Sequence, residues 1–297
     1  MKRFPHVRVY GLIVLANHLH LIVRNRPDVV AAWSDREVAL RWLKVFPGRR
    51  LEEHLAEPTE NDVEMLARDA QRVSEIRRRL SDISWFMRSL AEPIARKANK
   101  EDGCKGTFWE SRYKSIAILD EEALLTTCAY IDLNPVAAGI AAAPETSRHT
   151  SVRRRVRHAR AKGGLQALKA AKVGSVEGSR VVGNVEQDLW LCPVEDRRRQ
   201  GARREGMLEG FSLGSYLLLV DYTSRLCRQG KARVGPEVAS ILHRLGTSPD
   251  VWTQRVGELF SKTRLFGSYF ATDRERLRDL ARQRGVHHLD NLTSSAA

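Results

Sequence analysis

Val7-Arg8-Val9-Tyr10-Gly11-Leu12-Ile13-Val14-Leu15-Ala16-Asn17-His18-Leu19-His20-Leu21-Ile22-Val23 is the stretch on which the fold turns. Its β-branched and aliphatic content reads as a pair of β-strands or one long strand, with Gly11 at a bulge or bend. Side chains of a strand alternate between faces, so His18 and His20 project together while Leu19 and Leu21 face the other way. Two adjacent imidazoles form a bidentate clamp for a metal ion, and a third oxygen or nitrogen ligand from elsewhere would leave positions open for substrate. The plainer alternative is two partly exposed histidines on a polar strand face. In favour of the clamp, the polar residues sit only where a ligand face would place them.

Outward from this segment the pattern turns helical. Ser34 is expected to cap a helix, with Glu37 completing a capping box ahead of Val38, Leu40, Trp42 and Leu43. Residues 61–79 carry Val63, Leu66, Ala70, Val73 and Ile76 at helical spacing, and residues 81–99 carry Ile83, Phe86, Met87, Leu90, Ile94 and Ala98. Pro93 is expected to kink or split the second of these. After a turn at residues 103–106, residues 108–119 read as a strand. Asp120, Glu121 and Glu122 then open a helix expected to end near Asn134-Pro135. Strands first, then helices, then a strand and a helix imply an α+β fold built on an antiparallel sheet with flanking helices.

The helix opened by Asp120 carries a second chemical constellation. Tyr130 and Asn134 lie four residues apart and share one helix face, with Ile131 and Leu133 turned toward the core. A phenol with a free pKa of about 10 is a poor nucleophile and needs a metal-polarised phosphate or a base to attack. The Asn134 amide is a hard oxygen ligand that a hydrated divalent ion accepts. A buried tyrosine near a helix C-terminal asparagine is the bland alternative.

Composition narrows the partner. Lys and Arg number 50 against 36 acidic residues, the formal net charge is +14 and the isoelectric point is near 10.0. Such a field attracts polyanions. No apolar run reaches the roughly 18–20 residues that a membrane span needs, and residues 1–8 do not resemble a signal peptide. A cytoplasmic, nucleoid-associated location and a nucleic-acid partner are therefore expected. Cys104, Cys128, Cys192 and Cys227 form no C-x-x-C pair and read as reduced structural thiols.

Further basic features support that partner. Phe108, Trp109, Arg112, Tyr113 and Lys114 interleave aromatic and basic side chains, a set able to stack single-stranded bases while pairing with phosphates. Phe108 and Trp109 as core residues beside solvated bases remain the alternative. A basic run follows at Arg153, Arg154, Arg155, Arg157, Arg160 and Lys162, and another at Arg197, Arg198, Arg199, Arg203 and Arg204. Residues 151–210 are expected to be a basic linker and residues 211–290 a small all-α domain. His149, His158, His287 and His288 read as surface residues.

Asn17-His18-Leu19-His20-Leu21, then Gly106-x-Phe108-Trp109-Glu110-x-Arg112-Tyr113-Lys114, then Tyr130-x-x-x-Asn134-Pro135-Val136-x-Ala138-Gly139 form an ordered triple. It resembles the REP-associated branch of the single-tyrosine HUH transposases, over about residues 5–160. The resemblance implies a ferredoxin- or RRM-like HUH core in residues 1–150, with a helical insertion at about 33–80. Only about fifteen residues precede the H-x-H strand, so the core is expected to lack the family's first strand and helix. The family usually has proline where Ala16 stands. By the same resemblance His18, His20 and Asn134 hold Mg²⁺ or Mn²⁺, and Tyr130 attacks a phosphodiester of single-stranded or hairpin DNA. A 5′-phosphotyrosine and a free 3′-OH result, without ATP. The DNA would be gripped by Phe108, Trp109, Arg112, Tyr113, Lys114, Arg153, Arg154, Arg155 and Arg157. Family members work as monomers or dimers, so a homodimer is carried as one expected state.

Three readings thus compete. One is a transposase that cleaves and rejoins single-stranded DNA. The second is a catalytically decayed or domesticated nucleic-acid-binding protein. The third is a metal-dependent nuclease that uses water, and Tyr113 is a rival nucleophile on chemical type alone.

Overall fold

The computed structural model describes residues 7–47, 57–161, 191–197, 204–229, 242–243, 247–260 and 269–270. The chain mixes helix and sheet and divides into two compact units, Met1–Val9 with Val23–Lys114 and Tyr10–Ile22 with Ser115–Ala297. Residues 7–23 fold as expected into strands β1 (Val7–Val14) and β2 (Leu19–Asn25), which form a two-stranded antiparallel sheet. The turn is closed by the Leu15 N–H, which donates to the His18 carbonyl at 2.9 Å. Gly11 lies within β1. A Cβ there would stand 3.2 Å from Ile22 Cδ1, so the missing side chain admits Ile22 against the strand.

In the first unit, α1 (Pro27–Ala31) leads into α2 (Asp35–Val45), capped by the Ser34 hydroxyl accepting from the Glu37 N–H. The helix expected over residues 61–79 is two helices, α3 (Glu60–Ala67) and α4 (Ala70–Leu80). The break falls at Asp69, whose carboxylate accepts from the Arg72 N–H and starts a new N-terminus. Thr59 and Asp62 form a reciprocal capping box at the start of α3. Val30, Trp33, Val38, Val73, Ile76 and Leu80 make the core of this unit. Arg77 staples it, donating to the Val30 and Trp33 carbonyls at 2.6 and 2.9 Å.

Helix α5 (Ile83–Glu101) continues through Pro93 rather than splitting. The strand expected over residues 108–119 shrinks to β3 (Ala117–Ile118), which pairs in parallel with Tyr269–Phe270. Side chains explain the shortening. Neighbouring Phe108 and Trp109 rings contact each other edge to face at 4.9 Å, and the Trp109 indole N–H donates to the Ala91 carbonyl of α5. Asn99 Nδ2 donates to the Gly106 carbonyl. These ties to a helix replace the alternation that a ladder needs.

In the second unit, α6 (Glu121–Ala137) starts at Asp120, whose carboxylate accepts from the Ala123 N–H. It runs past its expected end and carries Pro135 within its last turn. Gly139, at φ +70°, closes it in a Schellman motif. The Ile140 N–H donates to the Pro135 carbonyl at 2.8 Å and the Gly139 N–H to that of Val136 at 3.1 Å.

Residues 151–161 differ from the expected linker. They form α7 (Ser151–Ala161), with Ser151, Val152, Arg155 and Ala159 buried. Spacings of three and four put these side chains on one face, which is buried despite the basic composition of the helix. Helices α8 (Leu213–Gln229) and α9 (Pro249–Phe260) pack on α6 and share its hydrophobic core, rather than standing apart as a separate domain. Short strands Glu195–Asp196 and Leu208–Glu209 pair in parallel. Val238, Ile241, Leu245, Lys162, Arg198, Arg199, Arg203, His287 and His288 lie outside the described residues. Cys128 and Cys192 are buried and Cys104 is exposed. No described helix is long and apolar enough to cross a membrane.

Candidate active site

His18, His20, Tyr130 and Asn134 all belong to the second unit. His20 lies in β2, and His18, expected in the strand, stands in the turn just ahead of it. Their ring centroids lie 4.9 Å apart, edge to face, and the His20 ring lies 6.0 Å from the Tyr130 ring at an interplanar angle of 69°. Two imidazoles and a phenol, distant in sequence, thus meet in one place. Tyr130 is half-buried against the core.

The surroundings of the pair suit a ligand role. His18 Nδ1 lies 2.7 Å from Asn17 Oδ1. Asn17 thereby orients the His18 ring. An outer oxygen bonded to the imidazole is how histidine ligands are commonly oriented. Burial, and secondly the neighbouring His18, lowers the pKa of His20 below its ordinary value. The neutral, electron-donating form is favoured, as a metal ligand requires.

Asn134 stands one turn beyond Tyr130 on α6 and is half-buried, its carbonyl accepting from the Ala138 N–H at 2.9 Å. Among the described residues no group of three or more His, Cys, Asp or Glu side chains could hold a metal ion. The expected ligands, His18, His20 and Asn134, would offer a metal ion two imidazoles and an amide. Such a set fits a loosely held divalent ion that keeps several waters, and its nitrogen donors suit Mn²⁺ better than the oxygen-seeking Mg²⁺.

The expected DNA contacts fare unevenly. Phe108 and Tyr113 are each 42% exposed, Arg112 and Lys114 are exposed, and the half-buried Trp109 is anchored to Ala91. The Tyr113 hydroxyl donates to Ser84 Oγ at 3.0 Å. These five residues belong to the first unit. On α7, Arg154, Arg157 and Arg160 are exposed and Arg153 is half-buried. Arg155 corrects the expectation: at 1% exposure its guanidinium lies in the core, donating to the Tyr10 and Cys192 carbonyls at 3.1 and 2.9 Å. A side chain so enclosed cannot reach a phosphate.

Sequence reasoning missed the residue between Tyr130 and Asn134. Asp132 is 1% exposed and accepts from the Val152 N–H at 3.0 Å, from the Ser151 hydroxyl and from the Tyr216 hydroxyl. Burial raises its carboxyl pKa, opposed by these hydrogen bonds and by Arg155. The available signal was an acidic residue amid the otherwise apolar run Ile131–Leu133, on the helix face opposite Tyr130. No family model, no curated protein and no solved structure matches this chain.

Proposed function

We propose that this chain is a metal-dependent DNA strand-transferase of the single-tyrosine HUH type, acting in transposition on single-stranded or hairpin DNA. The observation that carries the reading is the seating of the Tyr130 ring against His20, beside His18, in one small site. Paired imidazoles, a nearby phenol and an amide one helical turn beyond it are the parts such chemistry uses. The net charge of +14 and the exposed arginine face of α7 suit a polyanionic substrate.

A divalent ion held by His18, His20 and Asn134 would supply charge neutralisation at the scissile phosphate. The chain's own residues do the rest. The Tyr130 oxygen attacks phosphorus in line, the P–O3′ bond breaks, and the phenolic proton is balanced by protonation of the departing 3′ oxygen. Helix α6 carries Tyr130 and Asn134 and strand β2 carries His20, and such rigid elements favour near-attack geometry. The new phosphotyrosyl bond conserves the phosphodiester energy, so a 3′-OH can reverse the step on the same or another strand.

The test is incubation with Mn²⁺ and a single-stranded oligonucleotide labelled at its 3′ end, followed by denaturing electrophoresis. Label that migrates with the protein supports the reading. Cleavage that leaves all label on free DNA indicates water as nucleophile, and binding without cleavage indicates a nucleic-acid-binding protein.

A further inference from the structure

We propose that the buried Asp132 carboxylate is a positioning residue, fixing the rotation of the Tyr130 helix against the strand bearing His20 through Ser151 and Tyr216. This rests on the strand-transferase reading for its consequence, though not for its geometry. Residues two apart on an α-helix are separated by about 200° around the axis. Asp132 therefore faces inward where Tyr130 faces the site, and whatever holds the carboxylate sets the direction of the phenol.

Three donors from two helices hold it. Ser151 Oγ and Val152 N of α7 donate to Oδ1, and Tyr216 of α8 donates to Oδ2. The other end of the connection is β1. The Leu12 N–H donates to Ser151 Oγ at 3.1 Å, and Arg155 donates to the Tyr10 carbonyl at 3.1 Å. Strand β1 is the partner of β2, which carries His20. A continuous path of hydrogen bonds thus joins the helix bearing the nucleophile to the sheet bearing His20.

The chemistry of the path explains why it is polar. Leu125, Leu133, Val152 and Leu219 belong to the apolar core of the same unit, and apolar packing is non-directional and tolerates small slips. Apolar residues of similar volume in place of a buried charged cluster are often as stable. Directional donors to one carboxylate instead select a single register, and satisfied buried networks specify one arrangement. The network also assigns a task to α8, since Tyr216 brings the C-terminal helices into the alignment of the site.

The experiment uses the full chain with Tyr216→Phe, Asp132→Asn and Asp132→Ala. Imidazole proton resonances of His20, assigned with His20→Gln, report the ring current of Tyr130 whether or not the protein is active. They are expected to move in all three variants, least in Tyr216→Phe, which removes a single O–H. Adduct formation should slow by up to about 100-fold in Asp132→Ala, the scale for misplacement near 1 Å. It should be partly rescued in Asp132→Asn, and single-stranded DNA affinity should stay within about threefold in each. If Asp132→Ala does not fold, Tyr216→Phe and Asp132→Asn decide. Unmoved His20 resonances in those two variants overturn the proposal, as does an unchanged adduct rate alongside moved resonances. Moved resonances in a protein whose unsubstituted form makes no adduct leave the positioning role standing and overturn the transferase reading instead.

Discussion

The Tyr130 ring stands 6.0 Å from the His20 ring, and the two approach at 69°. One comes from the middle of a helix and the other from a short strand, and the same hydrophobic core supports both elements. The His18 ring lies 4.9 Å from that of His20. A site of this composition makes demands on metal, proton and substrate that can be measured separately.

Metal binding comes first. His18→Ala and His20→Ala each remove one nitrogen donor, and each should weaken Mn²⁺ binding by about tenfold or more, since loss of even an outer-shell partner costs 10–100-fold. Calorimetric titration checks this directly. Equal affinity in the parent and both variants would show that the pair is not a ligand set.

The lowered pKa of His20 fixes the sign of a pH effect on stability. The unfolded chain binds a proton near pH 6.5 that the folded site resists, so the contribution is fully present above that value and is lost as pH falls toward the folded pKa. The thermal midpoint of metal-free protein should therefore drop from pH 7.5 to 5.5, and drop less in His20→Gln. Parallel curves for the two proteins would refute the assignment.

The arginines of α7 divide into two kinds. Substituting Gln for the exposed Arg154, Arg157 and Arg160 should flatten the plot of log affinity against log salt by about two units on single-stranded DNA, at roughly 0.7 per phosphate contact. Folding should be unaffected. Arg155→Ala should do the opposite, costing about 1–3 kcal/mol of stability by leaving two buried carbonyls without their donor. Equal salt slopes in parent and triple variant would mean that this face does not contact DNA.

Gly139 stands at φ +70° in the Schellman closure of α6. Gly139→Ala should cost about 1–2 kcal/mol in urea unfolding, the penalty of the left-handed conformation for an L side chain. A loss below about 0.3 kcal/mol would indicate that the turn relaxes without cost.

What could be read in the sequence follows from the range of the interactions. The hairpin, the Ser34 and Asp120 caps, and the closeness of His18 to His20 depend on residues within a few positions of one another, and all were legible. So was the inward orientation of Ile131 and Leu133. The break at Asp69 is also local, but helical periodicity on both sides of it masked the cap. Arg155 and Asp132 were not legible as core residues because their partners, Tyr10, Cys192 and Tyr216, lie far along the chain. A basic run looked like a linker because composition hides a buried face of only a few residues. The strand expected around Phe108 failed because Trp109 and Gly106 are bonded to a helix instead.

The account stands or falls on where a covalent bond to DNA forms. After reaction with Mn²⁺ and single-stranded DNA, nuclease digestion and trypsin, mass spectrometry should find a nucleotide-bearing peptide spanning residues 115–148, whose sole tyrosine is Tyr130. The same peptide should be unmodified in Tyr130→Phe, with DNA affinity within about twofold of the parent, since only the nucleophilic oxygen is gone. A nucleotide on the short peptide holding Tyr113, undiminished adduct in Tyr130→Phe, or no adduct from the unsubstituted protein would contradict it.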